Sequence, residues 1–379
     1  MTSPLVTGSV LWPAGVLATA LVLRAADLWY YRDHERVVRH VGLRGAGVRE
    51  RYYRALDPVF AVLPFVWSWC DIVGLTAFAL RVDHALGYLA LVLLVGTRLR
   101  ALQEAGHTAT HYGLCRQRRW QWALSNLLFQ YPCFKPDMHH RYISHVRQHH
   151  HHANDPEIDP NIARFAALGF MPGISSRRFD YMLLHPLTPR GFVETLTLIT
   201  TGARRNHTVL GAVLRAVMVA VMATGFVAAL GWPGLVIGYA VPMLTAYPLY
   251  SWISLLVEHR WFVECTETNH FARECVLGRP TAYPGVFGWL LRHAMFPATD
   301  HYHLAHSLYP HIRWNHMPAL DRVIAAGDPR YGKHGSVGLL FQAGTAPSAL
   351  SELRTRMTSG EAADLAPWAN RLLKSEPCS

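Results

Sequence analysis

Charged side chains are scarce in this sequence. They make up 16% of its 379 residues, whereas hydrophobic side chains make up 51%, and the mean hydropathy is positive, at +0.11. A soluble protein of ordinary composition carries about 25% charged residues. The deficit argues against a typical soluble domain and indicates a protein that places much of its surface in lipid.

Clustered cysteines are also missing. The six cysteines are scattered along the chain, and no two of them are separated by only two residues. Because disulfide frameworks and thiolate zinc sites both depend on closely spaced cysteines, the sequence argues against both. The pattern suits a protein kept in a reducing compartment.

Acidic residues are the third shortage. There are 25 acidic and 36 basic residues, which leaves a net charge of +11. Such an excess has two common causes: binding of nucleic acid, or cytosolic loops of a membrane protein that follow the positive-inside rule. The positions of the arginines decide between them.

Five apolar stretches have about the 20 residues that a helix needs to cross a bilayer. They cover residues 8–31, 58–80, 85–106, 208–230 and 233–257. Short connections at 81–84 and 231–234 predict two antiparallel hairpins. The first stretch has no basic region before it, so it is interpreted as an N-out anchor or an interfacial helix rather than a signal peptide.

Basic residues gather at the opposite ends of both hairpins. They are Arg49, Arg51, Arg54, Arg116, Arg118, Arg119, Arg204, Arg205 and Arg260. By the positive-inside rule these ends face the cytosol. The basic excess is then explained by topology, and we expect no nucleic-acid partner.

The predicted fold class is an all-α integral membrane protein. A four-helix transmembrane core of two hairpins, with a possible N-terminal span, carries a cytosolic helical cap. We expect an N-terminal span or interfacial segment at 1–57, a membrane domain at 58–325 and a cytosolic tail at 326–379. The amphipathic segment 121–134 is expected to pack on the membrane surface.

Histidines are abundant, and they cluster. The chain has 23 of them, and eleven lie in four places: His107-x-x-x-His111, His145-x-x-x-His149-His150-His151-His152, His301-x-His303-x-x-His306, and His259 alone after the last apolar stretch. A helix over 85–111 would be roughly 40 Å long, so His107 and His111 would project beyond the hydrocarbon core on one helix face. Glu104 lies one turn earlier on that face.

All four histidine segments fall at the end of the bundle predicted to be cytosolic. Taken singly, each is more often structural than functional, but together they predict a metal site. The donors are almost purely imidazole, which disfavours structural zinc, and about eight donors suit two ions. Imidazole accepts zinc, copper, iron or nickel, so the metal is not identified by its ligands alone.

The order of these motifs resembles the membrane fatty acid desaturase and hydroxylase superfamily. The resemblance covers about 58–325 and implies two iron ions, O₂ as co-substrate and an external two-electron supply. The ligands that it implies are His107, His111, His145, His149, His150, His259, His303 and His306. It further implies a lipidic substrate, possibly a coenzyme A or carrier-protein thioester, and a ferredoxin, rubredoxin or cytochrome b5-type electron donor.

The chain departs from the family pattern at two places. The second box has one extra residue between His145 and His149, a form similar to that of alkane and xylene monooxygenases; alternatively the helix bulges locally, or His151 or His152 substitutes. Ser307 stands where the third box normally has a histidine. The possible additional donors are Glu104, His152, Glu258, Asp300, His301 and His311.

Desaturation is favoured over hydroxylation of an unactivated C–H bond, because the first and third boxes resemble those of desaturases. Arg141, Arg147 and Trp252 are candidate substrate contacts. The competing class is a non-catalytic membrane protein, either a metal sensor or a pseudoenzyme. The pseudoenzyme alternative is based on Ser307 alone. A transporter is disfavoured because the histidines lie outside the apolar stretches and only Asp71 lies deep within one.

Overall fold

A computed structural model of the chain describes residues 10–41, 52–342 and 344–359. Residues 1–9, the basic segment 42–51 with Arg49 and Arg51, and 360–379 of the predicted tail lie outside the described residues. The described part is mostly helical, as expected for an all-α chain. The exception is a parallel pair of two-residue strands, Thr281–Ala282 (β1) and Ser336–Val337 (β2).

Four helical segments are long and apolar enough to cross a membrane: Leu11–Tyr30, Asp57–Val82, Ala85–Thr110 and Val209–Glu258. The first half of the chain contains α1 (Leu11–Tyr30), α2 (His34–Val41), α3 (Asp57–Phe60), α4 (Leu63–Val82) and α5 (Ala85–Thr110). Helix α4 begins with a proline in its first turn and ends at Asp83, which has a left-handed backbone conformation. Both features are typical of helix ends. The predicted N-terminal stretch thus forms a helix of spanning length.

The fourth segment is irregular where its sequence predicts a break. It comprises α11 (Val209–Leu235), a π-helix at Val236–Ala240, α12 (Val241–Leu244) and α13 (Ala246–Glu258). Gly231, inside the predicted turn, has φ of 72° and interrupts α11. Two further irregularities each precede a proline: the π-helix lies before Pro242, and Thr245 lies three residues before Pro248. Proline causes them because its nitrogen donates no hydrogen bond and its ring crowds the preceding helical turn.

Charged groups tie the apolar helices together. Asp71 of α4 accepts hydrogen bonds from Arg24 of α1, at 2.7 Å, and from Arg98 of α5, at 3.3 Å. The expectation that only Asp71 lies deep in a span was wrong, because α5 also contains Arg98, Arg100 and Glu104. These charges persist in an apolar bundle because each one is paired.

The remaining elements cover the histidine-bearing end of the bundle. Between α5 and α11 lie α6 (Arg118–Ser125) with a π-helix at Asn126–Gln130, α7 (Met138–Arg141) with a π-helix at Tyr142–His150, α8 (Pro160–Leu168), α9 (Ser176–Leu183), a 3₁₀ turn at His185–Leu187 and α10 (Pro189–Arg204). After α13 come α14 (His270–Leu277), α15 (Gly285–Ala294), a 3₁₀ segment at Pro297–Tyr302, α16 (His303–Leu308), a 3₁₀ turn at Trp314–His316, α17 (Met317–Gly327), α18 (Pro329–Gly332) and α19 (Ala349–Thr358).

Buried apolar side chains of the described residues form three clusters, of which the smallest includes Leu304, Leu320 and Tyr331. The first contains Phe65, Ile72, Leu99 and Leu102 of the spanning helices. In the second, Leu353 of α19 joins the buried Trp252 and Trp261. The expected tail boundary at 325 falls inside α17, so the described part of the tail shares a core with the preceding segment.

Candidate metal centre

The first histidine segment closes α5. His107 lies in its last turn and His111 is the residue that ends it, so both imidazoles lie on one face with ring centroids 5.2 Å apart. Nδ1 of His107 is 2.9 Å from the Glu104 carboxylate. This contact orients the ring and leaves Nε2 free to bind a metal ion.

The second segment is a π-helix, which accounts for its extra residue. The i to i+5 periodicity of Tyr142–His150 brings His145 and His150 to the same side, with their Nε2 atoms 3.1 Å apart. His149 faces away from that pair toward His259. The local bulge considered from the sequence is therefore present, and His151 and His152 substitute for neither position.

Five imidazoles form what we call the first group. It consists of His107, His111, His145, His150 and His306, and one nitrogen of each lies within 4.8 Å of one nitrogen of every other. Nε2 of His145 is 2.7 Å from Nε2 of His107. Nitrogen atoms converging at such separations match a metal ion with nitrogen ligands at about 2.0–2.1 Å.

The second group combines imidazole with carboxylate. It consists of His149, Glu258, His259 and His303. Nε2 of His259 lies 3.2 Å from Nε2 of His149 and 3.0 Å from Nε2 of His303. Nδ1 of His149 is 3.1 Å from the buried carboxylate of Asp159, which turns its Nε2 toward the group.

Burial keeps most of these imidazoles neutral. Loss of hydration lowers the pKa well below the usual value for His111, His145, His150, His259 and His303, and it lowers the pKa of His306 to about 3. Burial also disfavours charge on His149, but the Asp159 carboxylate outweighs it and raises this pKa. Neutral imidazoles offer the lone pairs that a cation requires.

Two buried nitrogens further indicate that the centre fits a cation. Nε2 of His111 and Nε2 of His306 have no hydrogen-bond partner among the described residues. A buried polar atom without a partner costs free energy unless a ligand occupies it. Both atoms belong to the first group, so a metal ion would satisfy them together.

The third segment follows a strained stretch of backbone. Ala298 and Thr299 both have positive φ, 53° and 59°, which costs of order 1–3 kcal/mol for each non-glycine residue. The Thr299 hydroxyl donates to the Trp314 carbonyl at 2.9 Å. Both residues border a cavity of about 20 Å³ that also contacts His107, His303 and His306.

A buried ionic network that the sequence did not predict supports the first group. Arg100 donates to Glu104 and, at 2.6 Å, to Asp300, which also accepts a 2.6 Å hydrogen bond from Ser254. Glu104 and Asp300 come close enough to His107 to hold an ion with it. Arg100 and Asp159 were missed; the available signals were an arginine inside an apolar stretch and the Asp-Pro pair at the start of α8.

The structure brings all eight histidines of the expected ligand set into the two groups, together with Glu258, whereas three other candidates lie elsewhere. His152 borders a polar surface cavity, His301 borders a cavity beside α1, and His311 belongs to none of the groups formed by described residues. Ser307 Oγ is buried without a hydrogen-bond partner among the described residues.

The candidate substrate contacts are dispersed. Trp252 is buried in the cap core and donates to the Met182 carbonyl at 2.7 Å, so it has a structural role. Arg147 is exposed and stacks on Tyr142. Arg141 is half-buried, and burial lowers its pKa despite the nearby Glu104 carboxylate.

Comparison with known proteins agrees with this site. The sequence model of the fatty acid desaturase family matches residues 84–335, more than half of the chain. A dihydrorhizobitoxine desaturase from Bradyrhizobium elkanii is similar to it, with 28% identity over 315 residues that cover 79% of this chain and 86% of the relative. With four helices of spanning length, these matches indicate an integral membrane oxidoreductase. The chain, whose histidine segments converge on one buried centre, belongs to the fatty acid desaturase family.

Proposed function

We propose that this protein is an O₂-dependent di-iron desaturase whose centre faces the cytosol. The observation that carries the proposal is the pair of adjacent donor groups, of which one has five imidazoles and the other has three imidazoles and a carboxylate. Rings of the two groups approach closely: the centroids of His149 and His150 are 5.5 Å apart. Two iron ions held here would supply the oxidising chemistry that protein side chains lack.

The protein's own contribution is position and exclusion of water. The carboxylates of Glu104 and Asp159 orient His107 and His149 by accepting hydrogen bonds from Nδ1, and six of the eight imidazoles are buried. The cavity of about 20 Å³ beside His107 and His306 has room for a diatomic molecule or one carbon atom. A C–H bond held there would lie next to the metal ligands.

The proposed reaction balances as follows. The substrate loses two hydrogen atoms and gains a carbon–carbon double bond, and a donor supplies two electrons with two protons. These four electrons reduce one O₂ to two water molecules. We propose that a ferredoxin, rubredoxin or cytochrome b5-type protein delivers the electrons, because the net charge of +11 would attract an acidic donor.

Glu258 compensates for Ser307 in this proposal. Ser307 offers no imidazole, and its hydroxyl is a poor ligand by comparison. Glu258 ends α13 directly before His259, and one of its oxygens lies within 4.8 Å of donor nitrogens of His149, His259 and His303. The carboxylate would add a negative charge to the second group alone, so the two ions would have different environments.

Hydroxylation is the alternative outcome. The spacing of His145, His149 and His150 is similar to that of membrane monooxygenases, and this favours oxygen insertion. The relative from B. elkanii is named as a desaturase, and this favours loss of two hydrogens. We retain desaturation as the proposal, because a named relative aligned over most of the chain outweighs one spacing.

The decisive experiment is metal analysis with Mössbauer spectroscopy on full-length protein purified without oxygen in mild detergent. We expect two irons per chain with two distinct signals, and consumption of O₂ when the protein is reduced with substrate present. Product analysis then separates an alkene from an alcohol. One iron, zinc alone, or two irons without O₂ consumption would overturn the oxidase and favour a metal sensor or pseudoenzyme.

A further inference from the structure

A second, larger cavity lies beside the metal centre among the apolar helices. Its volume is about 440 Å³, and its lining residues come from α1, α4, α5, α15 and the segment 297–318. Trp67 forms part of its wall, and Leu28, 61% exposed, stands at its rim. This volume is typical of small-molecule sites, about 300–1,000 Å³.

The polar lining of this cavity is cationic. Arg24, Arg98 and Arg292 border it, and the one acid among its lining residues, Asp27, is neutralised by an ion pair with Arg313. Asp71 bridges Arg24 and Arg98 but does not line the cavity. Because two arginines share this one carboxylate, the pair of guanidinium groups keeps a net positive charge.

The cavity leads toward the reacting position. Ala298, Thr299 and Trp314 line both this cavity and the small one that contacts His107, His303 and His306. Arg98 precedes His107 by nine residues on α5, which is about 13 Å along a helix. A molecule with one end at the arginines can thus extend to the strained Ala298–Thr299 wall.

One further polar atom faces this space. His301 lines the cavity, and its Nδ1 is buried without a hydrogen-bond partner among the described residues. It lies two residues from Thr299 and offers a hydrogen bond to a polar atom of a bound molecule. The cavity thus combines a pair of arginines, an apolar wall and a buried nitrogen without a hydrogen-bond partner among the described residues. This combination suits an amphiphilic ligand.

We propose that this cavity binds the substrate, a single-chain amphiphile whose anionic terminal group lies against Arg24 and Arg98 while its chain reaches the Thr299–Trp314 wall. This deepens the proposed oxidase function and rests on it. The anion is selected because guanidinium groups within an apolar bundle are weakly screened.

The test is photolabelling of the full-length protein in phosphatidylcholine nanodiscs. The probe is a ten-carbon carboxylate with a diazirine at its far end, and labelled residues are mapped by mass spectrometry. We expect labelling of segment 297–314, blocked by decanoate but not by methyl decanoate. Competition by decyl phosphate measures whether a phosphate serves as well as a carboxylate; either anion supports the proposed chemistry.

Charge-removing variants provide the sharper comparison. Arg24→Gln and Arg98→Gln should each reduce labelling by roughly tenfold or more, the equivalent of one strong charged contact. Arg98→Lys, which keeps the charge, should retain the preference for acid over ester even if the glutamine variants fold poorly. Arg81→Gln is the matched control, because Arg81 lies on the same helix as Asp71 but outside the cavity.

The proposal fails if methyl decanoate competes as well as decanoate, or if both glutamine variants label like the unchanged protein. It also fails if the label is found instead at the purely apolar cavity between Trp69 and Phe226. None of these readouts depends on turnover or iron content. If the protein binds no iron but is labelled as expected, the proposed oxidase function is refuted and the proposed anion-binding site is still supported.

Discussion

The two donor groups of the metal centre are built in different ways. The first consists of five neutral imidazoles and no carboxylate, and four of the five come from the end of α5 and from the π-helix. The second draws its four donors from three distant segments, with Glu258 and His259 adjacent in the chain, and Asp159 contacts His149 from outside the group. One half of the centre thus depends on local helix geometry, and the other on negative charge placed by tertiary packing.

This difference predicts unlike sensitivity to mutation. In the first group, the loss of one imidazole leaves four similar donors. In the second, the carboxylates determine both the charge of the site and the orientation of His149. Variants that change charge but not shape should therefore disturb the second position selectively.

The largest expected effect follows removal of one imidazole from either group. His150→Ala and His259→Ala should each lower the iron content from two ions per chain toward one and reduce turnover at least about 100-fold. His152→Ala is the matched control, since His152 is next to the second box but outside both groups. Inductively coupled plasma analysis and product assays measure both quantities; unchanged iron in both alanine variants would contradict the assignment of the groups.

The next effect isolates the carboxylate. Glu258→Gln keeps the shape but removes the charge, so iron affinity at the second position should fall about 10–100-fold while the first position keeps its Mössbauer signal. Adding Ser307→His to that variant should restore part of the second signal. Two unaltered signals in Glu258→Gln would show that Glu258 is not a ligand.

A smaller effect is expected when the support for His149 is changed. Asp159 also caps α8, and asparagine caps nearly as well, so Asp159→Asn should weaken the second iron about tenfold with little change in thermal stability. Ser175→Ala, which removes the cap of α9, should do the reverse: it costs about 1 kcal/mol of stability and leaves iron binding intact. Equal iron loss in both variants would refute the orienting role of Asp159.

The smallest effect concerns a histidine–carboxylate contact away from the centre. Burial opposes ionisation of Glu194, but hydrogen bonds from His185 and Arg164 lower its pKa to about 2. Because the unfolded carboxyl titrates near 4.5, this contact stabilises the fold above pH 4.5, and the stabilisation is lost as the pH falls toward 2.

The expected loss from Glu194 is about 1–2 kcal/mol, less than the full shift implies, because its side chain is one-fifth exposed. Thermal unfolding between pH 2 and 5 measures it. Glu194→Gln should flatten the pH dependence across that window and leave iron binding at pH 7 unchanged. If the melting temperature of Glu194→Gln varied with pH as steeply as that of the parent protein, the contact would contribute nothing to stability.

Much of this centre follows from residue spacing. The i, i+4 pair His107 and His111 needed only a helix that continues past the apolar stretch, and the structure ends α5 there. The extra residue after His145 left three alternatives: the spacing of membrane monooxygenases, a local bulge, or substitution by His151 or His152. The structure has a π-helix there, which is the local bulge. What spacing did not predict is that the adjacent His149 and His150 belong to different groups.

The charges inside the bundle were the weakest part of the sequence interpretation. Arg98 and Arg100 lie within an apolar stretch. Averaging the hydropathy over the whole stretch conceals these two charged residues. Their partners, Asp71 and Asp300, lie 27 and 200 positions away. Pairing over such separations depends on which helix faces pack together.

The sequence by itself determined the membrane class, the helices of spanning length and the four histidine segments, because hydropathy and helical periodicity are local properties. Only the tertiary structure decided that Glu258 joins the second group, that Asp159 supports His149, and that Arg24 and Arg98 face one cavity. These residues come from distant segments, and their meeting depends on the packing of whole helices, which no local pattern encodes.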